Sequence, residues 1–532
     1  AQASFLAEIG AGLCRCSSAP HCLGGKMGAG ASAGVEAALK AAAPGELQAT
    51  FASLPDETKA KLMKALARVK VYGIPPSQNA VSPVLMAMEL NVGGLEFVDL
   101  MQGAHKKPEY LAINPSGKIP ALEDGDVKIG ESTAILRYLA IKYGPQYYPI
   151  DSPATCYKID FAMDAFCSKV YPTHTQVIYP AMGFSAPPTD QAQANKDYGE
   201  AIAQWFKDHV TGKFVLGDKL SIADLKVLPF LFCAVQPGVK AAMGFTPADR
   251  LVKYCDEVCA ALKSSPFLKS AGGFAIAELI ASKTSGKSAT ATPAVQIDGA
   301  STRTAGEPGE AGKLKVHGLP ASMNCVGPIV FAMETKSGAM QGIDIMNGGL
   351  KTAEYLAINP LGQMPALEDG SVKGGESMAM LRYMAMKYAP KYYPVSDTAA
   401  IARIDYAMDD FVTRVYKAHV EVVYPVFDYK GMPEDKPAAC KAYVEAMEGW
   451  ASAHLSKGKF VTGDSLSIAD FKAVPFFFCA VQPGMKSVMG LEAPARITKY
   501  CEDFCAAVGS SSFMKEAGGW ALAEKIAQKA AA

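Results

Sequence analysis

The sequence predicts an α/β plus all-α protein built as two tandem modules, each an α/β layer followed by an all-helical domain. Three observations carry this. The stretch EYLAINPSGKIPALEDGDVKIGESTAILRYLAIKYGPQYYP at 109–149 returns as EYLAINPLGQMPALEDGSVKGGESMAMLRYMAMKYAPKYYP at 354–394, a constant offset (354 − 109 = 245). Short strand and helix patterns alternate before Pro149 and before Pro394. Only helical patterns follow each proline, and each helical stretch carries the same tetrapeptide, Ser-Ile-Ala-Asp, at 221–224 and 467–470.

Val69–Tyr72 reads as a first strand, leading through Gly-Ile-Pro-Pro-Ser to a helix. Leu95–Leu100 reads as a second strand, followed by a polar stretch from Gln102 to Pro108. An Asn-Pro-x-Gly turn then precedes a short strand that enters Pro120 or Pro365. Ala-Leu-Glu-Asp-Gly is a strand running into a turn, and a last strand ends at Gly-Glu-Ser. There a helix opens, with Ile135, Leu136, Leu139 and Tyr143 at helical spacing, matched by Met380, Leu381, Met384 and Tyr388. The serine suits an N-cap, and free N–H groups at a helix start can also receive an anion. The order strand, helix, strand, helix, two strands, helix fits a small layer with a mixed sheet. In the helical domains, Ser221 with Asp224 and Ser467 with Asp470 form a capping-box variant before an apolar helix.

The remaining boundaries follow from composition. Residues 1–33 are rich in Ala, Gly and Ser and fit a processed precursor or the remnant of a transit peptide. Residues 34–67 read as a helical hairpin, since Pro44 and Pro55 each open a run with acids in its first turn. It either packs on its own module or docks a partner protein. Copy one spans 68–150 (α/β) and 151–282 (all-α), and copy two spans 313–395 and 396–532. Residues 283–312 are rich in Ser, Thr, Gly, Ala and Pro and are expected to be a flexible linker spanning roughly 30 Å.

With 532 residues the chain is too long for one core, and half of it is apolar. Lys+Arg and Asp+Glu both number 52, a balance that argues against a nucleic-acid binder. The longest apolar runs contain a proline and are short for a bilayer span, so no membrane span is expected. The 13 cysteines are odd in number and form no paired CxxC sets. They read as buried thiols of a reducing compartment, cytoplasm or plastid. Cys14, Cys16, His21 and Cys22 have irregular spacing in a Gly/Ser/Ala-rich segment, which favours a solvated tail over a metal site.

The motifs VKVYG and LKVHG followed by a serine, VDLMQGAHKKPEYLAINPSGKIPALEDGDVKIGES, ILRYLAIKY and SIAD occur in order, most of them twice. In these the chain resembles the cytosolic-type glutathione S-transferases, closest to the plant phi class, over 69–282 and 313–529. The resemblance implies a thioredoxin-like N-terminal domain and an all-helical C-terminal domain in each copy, with glutathione as co-substrate and no metal. It implies Ser77 and Ser322 as the hydroxyls that activate the thiol. A thiol of pKa about 8.5 is only a few per cent ionised at neutral pH, and lowering it by about two units takes roughly 2.7 kcal/mol.

The same resemblance places His105 and Lys106 at the glycine carboxylate, with Lys118 assisting. The backbone of Ile119, before a cis Pro120, would meet the cysteinyl part, and Glu131 with Ser132 the γ-glutamyl end. The second copy offers Lys351, Gln363, Met364, Pro365, Glu376 and Ser377. Several residues depart from the pattern. Leu350 replaces His105. The basic residue that many relatives carry five positions after the serine is Ser82 or Gly327, and the prolines that follow, Pro83 and Pro328, are placed to reset the helix start. Cys325, one turn beyond Ser322, reads as a packed thiol.

Two functions fit. One is an enzyme that conjugates glutathione to small-molecule electrophiles or reduces peroxides. The other is a non-catalytic binding or scaffold subunit of a larger assembly, suggested by the duplication and by the altered second copy. The modules are expected to pair as an internal pseudo-dimer or through a homodimer.

Overall fold

Val69, Val71 and Gly73 point inward from a five-residue strand while Lys70 and Tyr72 point outward. This strand, β1 (Val69–Gly73), is the centre of the first sheet in the computed structural model, which describes residues 69–264, 273–509 and 519–531. The low-complexity segment 1–33, the hairpin 34–67 and the Cys14, Cys16, His21 and Cys22 group lie outside the described residues.

Copy one continues with α1 (Gln78–Glu89), β2 (Gly93–Phe97), the one-turn α2 (Pro108–Leu111), β3 (Ala121–Asp124), β4 (Val127–Gly130) and α3 (Ser132–Tyr143). The sheet order is β2-β1-β3-β4, with β1 parallel to β2 and antiparallel to β3. The second strand starts earlier than its apolar pattern suggested. A Cβ at Gly93 would lie 1.9 Å from the Val69 carbonyl oxygen, so glycine lets the chain join β1 there. No strand forms before Pro120; pairing begins at Ala121. Pro83 does not reset the helix, because α1 starts at Gln78 and runs through it. Glu131, not Ser132, holds the N-cap position of α3, and Ser132 is its first helical residue.

The helical domain comprises α4 (Pro153–Ala165), a π-helical turn (Phe166–Val170), α5 (Tyr171–Ala181), α6 (Gln191–His209), α7 (Ile222–Ala234), α8 (Pro237–Met243), α9 (Asp249–Ala261) and α10 (Gly273–Thr284). Helix α7 is buried on nearly every side. Its capping box forms: the Ser221 N–H donates to Asp224 Oδ2 at 2.9 Å and the Ser221 hydroxyl donates to it at 2.7 Å.

Copy two repeats the plan with β5 (Leu314–Gly318), α11 (Met323–Glu334), β6 (Gly338–Gly342), α12 (Ala353–Ile358), β7 (Ala366–Asp369), β8 (Val372–Gly374) and α13 (Ser377–Tyr388). Its helical domain holds α14 (Thr398–Asp410), a π-helical turn (Phe411–Tyr416), α15 (Lys417–Val422), α16 (Lys436–His454), α17 (Ile468–Ala480), α18 (Pro483–Met489), α19 (Ala495–Ala507) and α20 (Gly519–Ala531). No single helix among the described residues is long and apolar enough to cross a membrane.

The two modules pack against each other, α3 on α14 and α13 on α4. Arg137 and Arg382 lie fully buried at this junction. Arg137 Nε donates to Asp160 at 2.8 Å and Nη1 reaches Asp409 of the other module at 3.4 Å. Arg382 Nε donates to Asp405 at 2.7 Å and Nη1 lies 3.8 Å from Asp164. Burial pushes the Asp164 carboxyl up to about 7 despite both guanidinium groups.

The segment 283–312, expected to be a flexible linker, has no helix or strand beyond Thr284 but is tied along its length. Thr292 N–H donates to the Gly244 carbonyl and Ser301 N–H to the Val210 carbonyl. Arg303 donates to the carbonyls of Ala357, Ile358 and Lys373 in copy two. Its small residues let it lie flat: Gly199 leaves the room that Val295 fills. Composition alone does not report such backbone pairing.

Candidate functional site

Tyr72 pairs with Ala121 across the first sheet, and Ala121 pairs with Gly130. The chain leaves all three at one end of the sheet. Tyr72 leads to Ser77, Ile119 and Pro120 enter Ala121, and Gly130 leads to Glu131 and Ser132. The residues singled out in the sequence therefore converge on one end of the sheet. Copy two repeats this, with His317 paired to Ala366 and Leu367 to Gly374.

Ser77 is half-buried and caps α1; its Oγ accepts the Ala80 N–H at 3.3 Å. Its position at the end of a strand and the start of a helix directs the N–H groups of α1 toward the same opening. Ser322 stands at the same place before α11. Cys325 beyond it is buried, which pushes its thiol up, so it is a packed thiol rather than a reactive one. Among the described cysteines Cys167 is exposed, while Cys156, Cys233, Cys325, Cys440 and Cys479 are buried.

The Ile119–Pro120 and Met364–Pro365 bonds are cis. The loop before each is held from inside. Tyr110 OH and Asn114 Nδ2 both donate to the Lys118 carbonyl, at 2.6 and 2.7 Å. Tyr355 OH and Asn359 Nδ2 do the same for Gln363, both at 2.6 Å. His105 and Lys106 form a 3-10 turn on the rim, and a Cβ at Gly117 would lie 3.3 Å from the His105 carbonyl oxygen. In copy two the same test at Gly362 finds Leu350 O and Lys351 Nζ, both at 3.3 Å. Lys118 Nζ donates instead to the Thr413 carbonyl at 3.3 Å, so it is engaged by the opposite module.

Glu131 and Glu376 hold φ of 61° and 63°, a conformation costing about 1–3 kcal/mol for a side chain of this kind. Each is fixed from the other module. Thr413 Oγ1 donates to Glu131 Oε1 at 2.7 Å, and Ser168 Oγ donates to Glu376 Oε1 at 2.7 Å. Burial pushes the Glu131 carboxyl up to about 7; Asp410 and Asp409 add to the rise while Thr413 and Lys118 oppose it. Beside it, Tyr406 OH donates to Asn114 Oδ1 at 2.6 Å across the junction. A Cβ at Gly130 would come within 2.9 Å of that ring.

Ser132 and Ser377 lie behind the acids, buried. Lys226 of α7 donates to Ser132 Oγ at 2.7 Å and Lys472 of α17 to Ser377 Oγ at 3.0 Å. Sequence reading missed these lysines, although a lone lysine at the same place in two otherwise apolar helices, ADLKVLPFLFCA and ADFKAVPFFFCA, was a signal. Thr413, Ser168 and Tyr406 were also missed, because pairing between modules is invisible in a linear pattern. His174 and His419, fully buried, are driven to about 3 by burial, so neither is a base near neutral pH.

Each copy joins a thioredoxin-like layer, with a serine before the first helix, to an all-helical domain. The family profile described as "Glutathione S-transferase, N-terminal domain" matches residues 67–141 and 341–386. Glutathione S-transferase 3 of Zea mays is 33% identical over 192 residues, covering 33% of this chain and 85% of the maize protein. Glutathione S-transferase F10 of Arabidopsis thaliana is 37% identical over 154 residues, 27% of this chain and 70% of that protein. The crystal structure of human glutathione transferase theta-2 in complex with glutathione and an unknown ligand aligns at 23% identity and a TM-score of 0.35, over 41% of this chain and 91% of that one. The chain belongs to the glutathione S-transferase family.

Proposed function

We infer that the chain transfers the glutathione thiolate to small-molecule electrophiles or uses it to reduce peroxides, with Ser77 as the hydroxyl donor to the sulfur. One observation carries the reading: Ser77, the backbone before Pro120 and the Glu131–Ser132 helix start all adjoin the same end of the sheet. An extended tripeptide lying along that end would offer its backbone to Ile119, its thiol to Ser77 and its γ-glutamyl end to α3. His105 and Lys106, in the 3-10 turn Ala104–Lys106, would meet the glycine carboxylate. A hydroxyl donor and the start of α1 both favour the thiolate.

Turnover of a generic electrophile is expected to fall at least about tenfold in Ser77→Ala with Ser322→Ala, the effect of lowering the thiolate fraction by one pKa unit. Unchanged turnover would remove both serines from the mechanism.

Copy two supports a second reading, binding without turnover. Leu350 and Gln363 stand where copy one has His105 and Lys118, removing one polar group and one positive charge. A scaffold role rests on this difference, and titration with glutathione separates the readings by counting zero, one or two sites per chain. Buried thiols such as Cys156, Cys233 and Cys479 fit a reducing compartment such as cytoplasm or plastid. The two modules are proposed to serve as each other's dimer partner.

A further inference from the structure

In each copy a buried lysine of the helical domain faces the start of two helices. Lys226 is 4% exposed, and its Nζ donates to Ser132 Oγ at 2.7 Å and to Asn79 Oδ1 at 3.0 Å. Ser132 is the first residue of α3 and Asn79 the second of α1, so the ammonium faces the positive ends of two helices. The ring of Phe230 lies 5.0 Å from it. Copy two repeats the arrangement: Lys472, 5% exposed, donates to Ser377 Oγ at 3.0 Å and Asn324 Oδ1 at 3.1 Å, with the Phe476 ring at 4.9 Å.

Among the described residues neither ammonium forms an ion pair. Burial pulls Lys472 down to about 8, against the more distant Glu376 and Asp164, which favour its charge. A buried cation held only by neutral oxygens and pointed at helix N-termini destabilises the fold. Packing alone would be better served by methionine or leucine in these apolar helices. An arriving anion would relieve all three positive groups together.

We propose that Lys226 and Lys472 are positioning residues for the α-carboxylate at the γ-glutamyl end of glutathione. Each occupies a lone pair of its serine, so the serine acts as donor; in copy one the Ser132 hydroxyl rests on Asn79 Oδ1 at a long 3.3 Å and would turn to the carboxylate, and each lysine supplies the positive potential that fixes the carboxylate at the helix start. The inference rests on the glutathione reading above and adds a residue from the helical domain to it.

The test compares wild type with Lys226→Met plus Lys472→Met by calorimetric titration. Two ligands are used: glutathione, and γ-aminobutyryl-cysteinyl-glycine, which lacks only that carboxylate. The variant should bind glutathione about tenfold more weakly, the scale of one charge-assisted hydrogen bond. It should bind the analogue as wild type does. Its ligand-free melting temperature should equal or exceed that of wild type, which a merely structural lysine would not allow. Unchanged glutathione affinity, an equal loss for both ligands, or a lowered melting temperature would each overturn the inference alone. Absence of glutathione binding by wild type would overturn the functional reading with it.

Discussion

Thr413 Oγ1 donates to Glu131 Oε1 at 2.7 Å, and the two residues belong to different modules of one chain. The first cleft is therefore finished by the second module, and Ser168 on Glu376 returns the arrangement. A duplicated chain of this kind holds both halves of each site at fixed distance, without depending on protein concentration.

This reciprocity predicts effects in trans. In a Ser322→Ala background, where only the first copy turns over, Thr413→Val should raise the KM for glutathione by about three- to tenfold, the worth of one hydrogen bond to a charged group. Ser168→Ala in a Ser77→Ala background should do the same for the second copy. Steady-state kinetics at varied glutathione would check this. Equal effects in both backgrounds would show that the contacts do not serve separate sites.

Glu131 sets a pH signature. Its carboxyl is held at about 7 in the folded chain against an ordinary 4.5. Between these values the native protein binds more protons at this site than the unfolded one, so its contribution to stability falls as pH rises through that window. Below about 4.5 no penalty is present, and above about 7 it is complete. Glu131→Gln should therefore gain stability relative to wild type as pH increases from about 4.5 to 7, and hold that gain beyond. Thermal melts of both proteins across pH 4–8, compared as differences, would reveal a flat line if the carboxyl were ordinary.

The central arginines predict a large loss. Arg137→Met would leave Asp160 without the guanidinium it pairs with, and Asp164 and Asp409 with Arg382 alone. Removing one member of such a buried network costs about 3–5 kcal/mol. Denaturant unfolding should show that loss, and pairing Arg137→Met with Asp160→Asn should restore part of it, because the uncompensated charge is then removed. A loss below about 1 kcal/mol would place the network among exposed ion pairs in effect.

Much of this fold could be read from the chain because its strongest signals are local. The strand–turn–helix order, the capping box at Ser221 and the turn before Pro120 each depend on residues a few positions apart. What could not be read depends on contacts across the chain. Gly93 shifts β2 because of Val69, and segment 283–312 is held by carbonyls of residues that share no pattern with it. The candidate site divides in the same way. Ser77, Glu131 and Ser132 stand at element boundaries that composition marks. Thr413, Ser168 and Lys226 act from other domains and stand in the sequence as an exposed hydroxyl, another, and a stray charge.

The last prediction separates the interface from the tether. Segment 283–312 crosses from one module to the other, yet the buried contacts between α3 and α14, and between α4 and α13, do not pass through it. Gly299 lies exposed in the segment with open space around it, so a protease site inserted after it should be tolerated and cut. After cleavage the halves should co-elute at the mass of one chain, since Arg137, Arg382, Tyr157 and Tyr406 remain buried between them. The cut removes the effective concentration the tether supplied, of millimolar order for short linkers, so the halves should part only when diluted below their own dissociation constant. Sedimentation of the cut protein in Arg137→Met should show the halves parting at higher concentration than in wild type. Halves that separate immediately after cleavage would mean that the covalent segment, rather than the arginine-centred junction, keeps the two clefts complete.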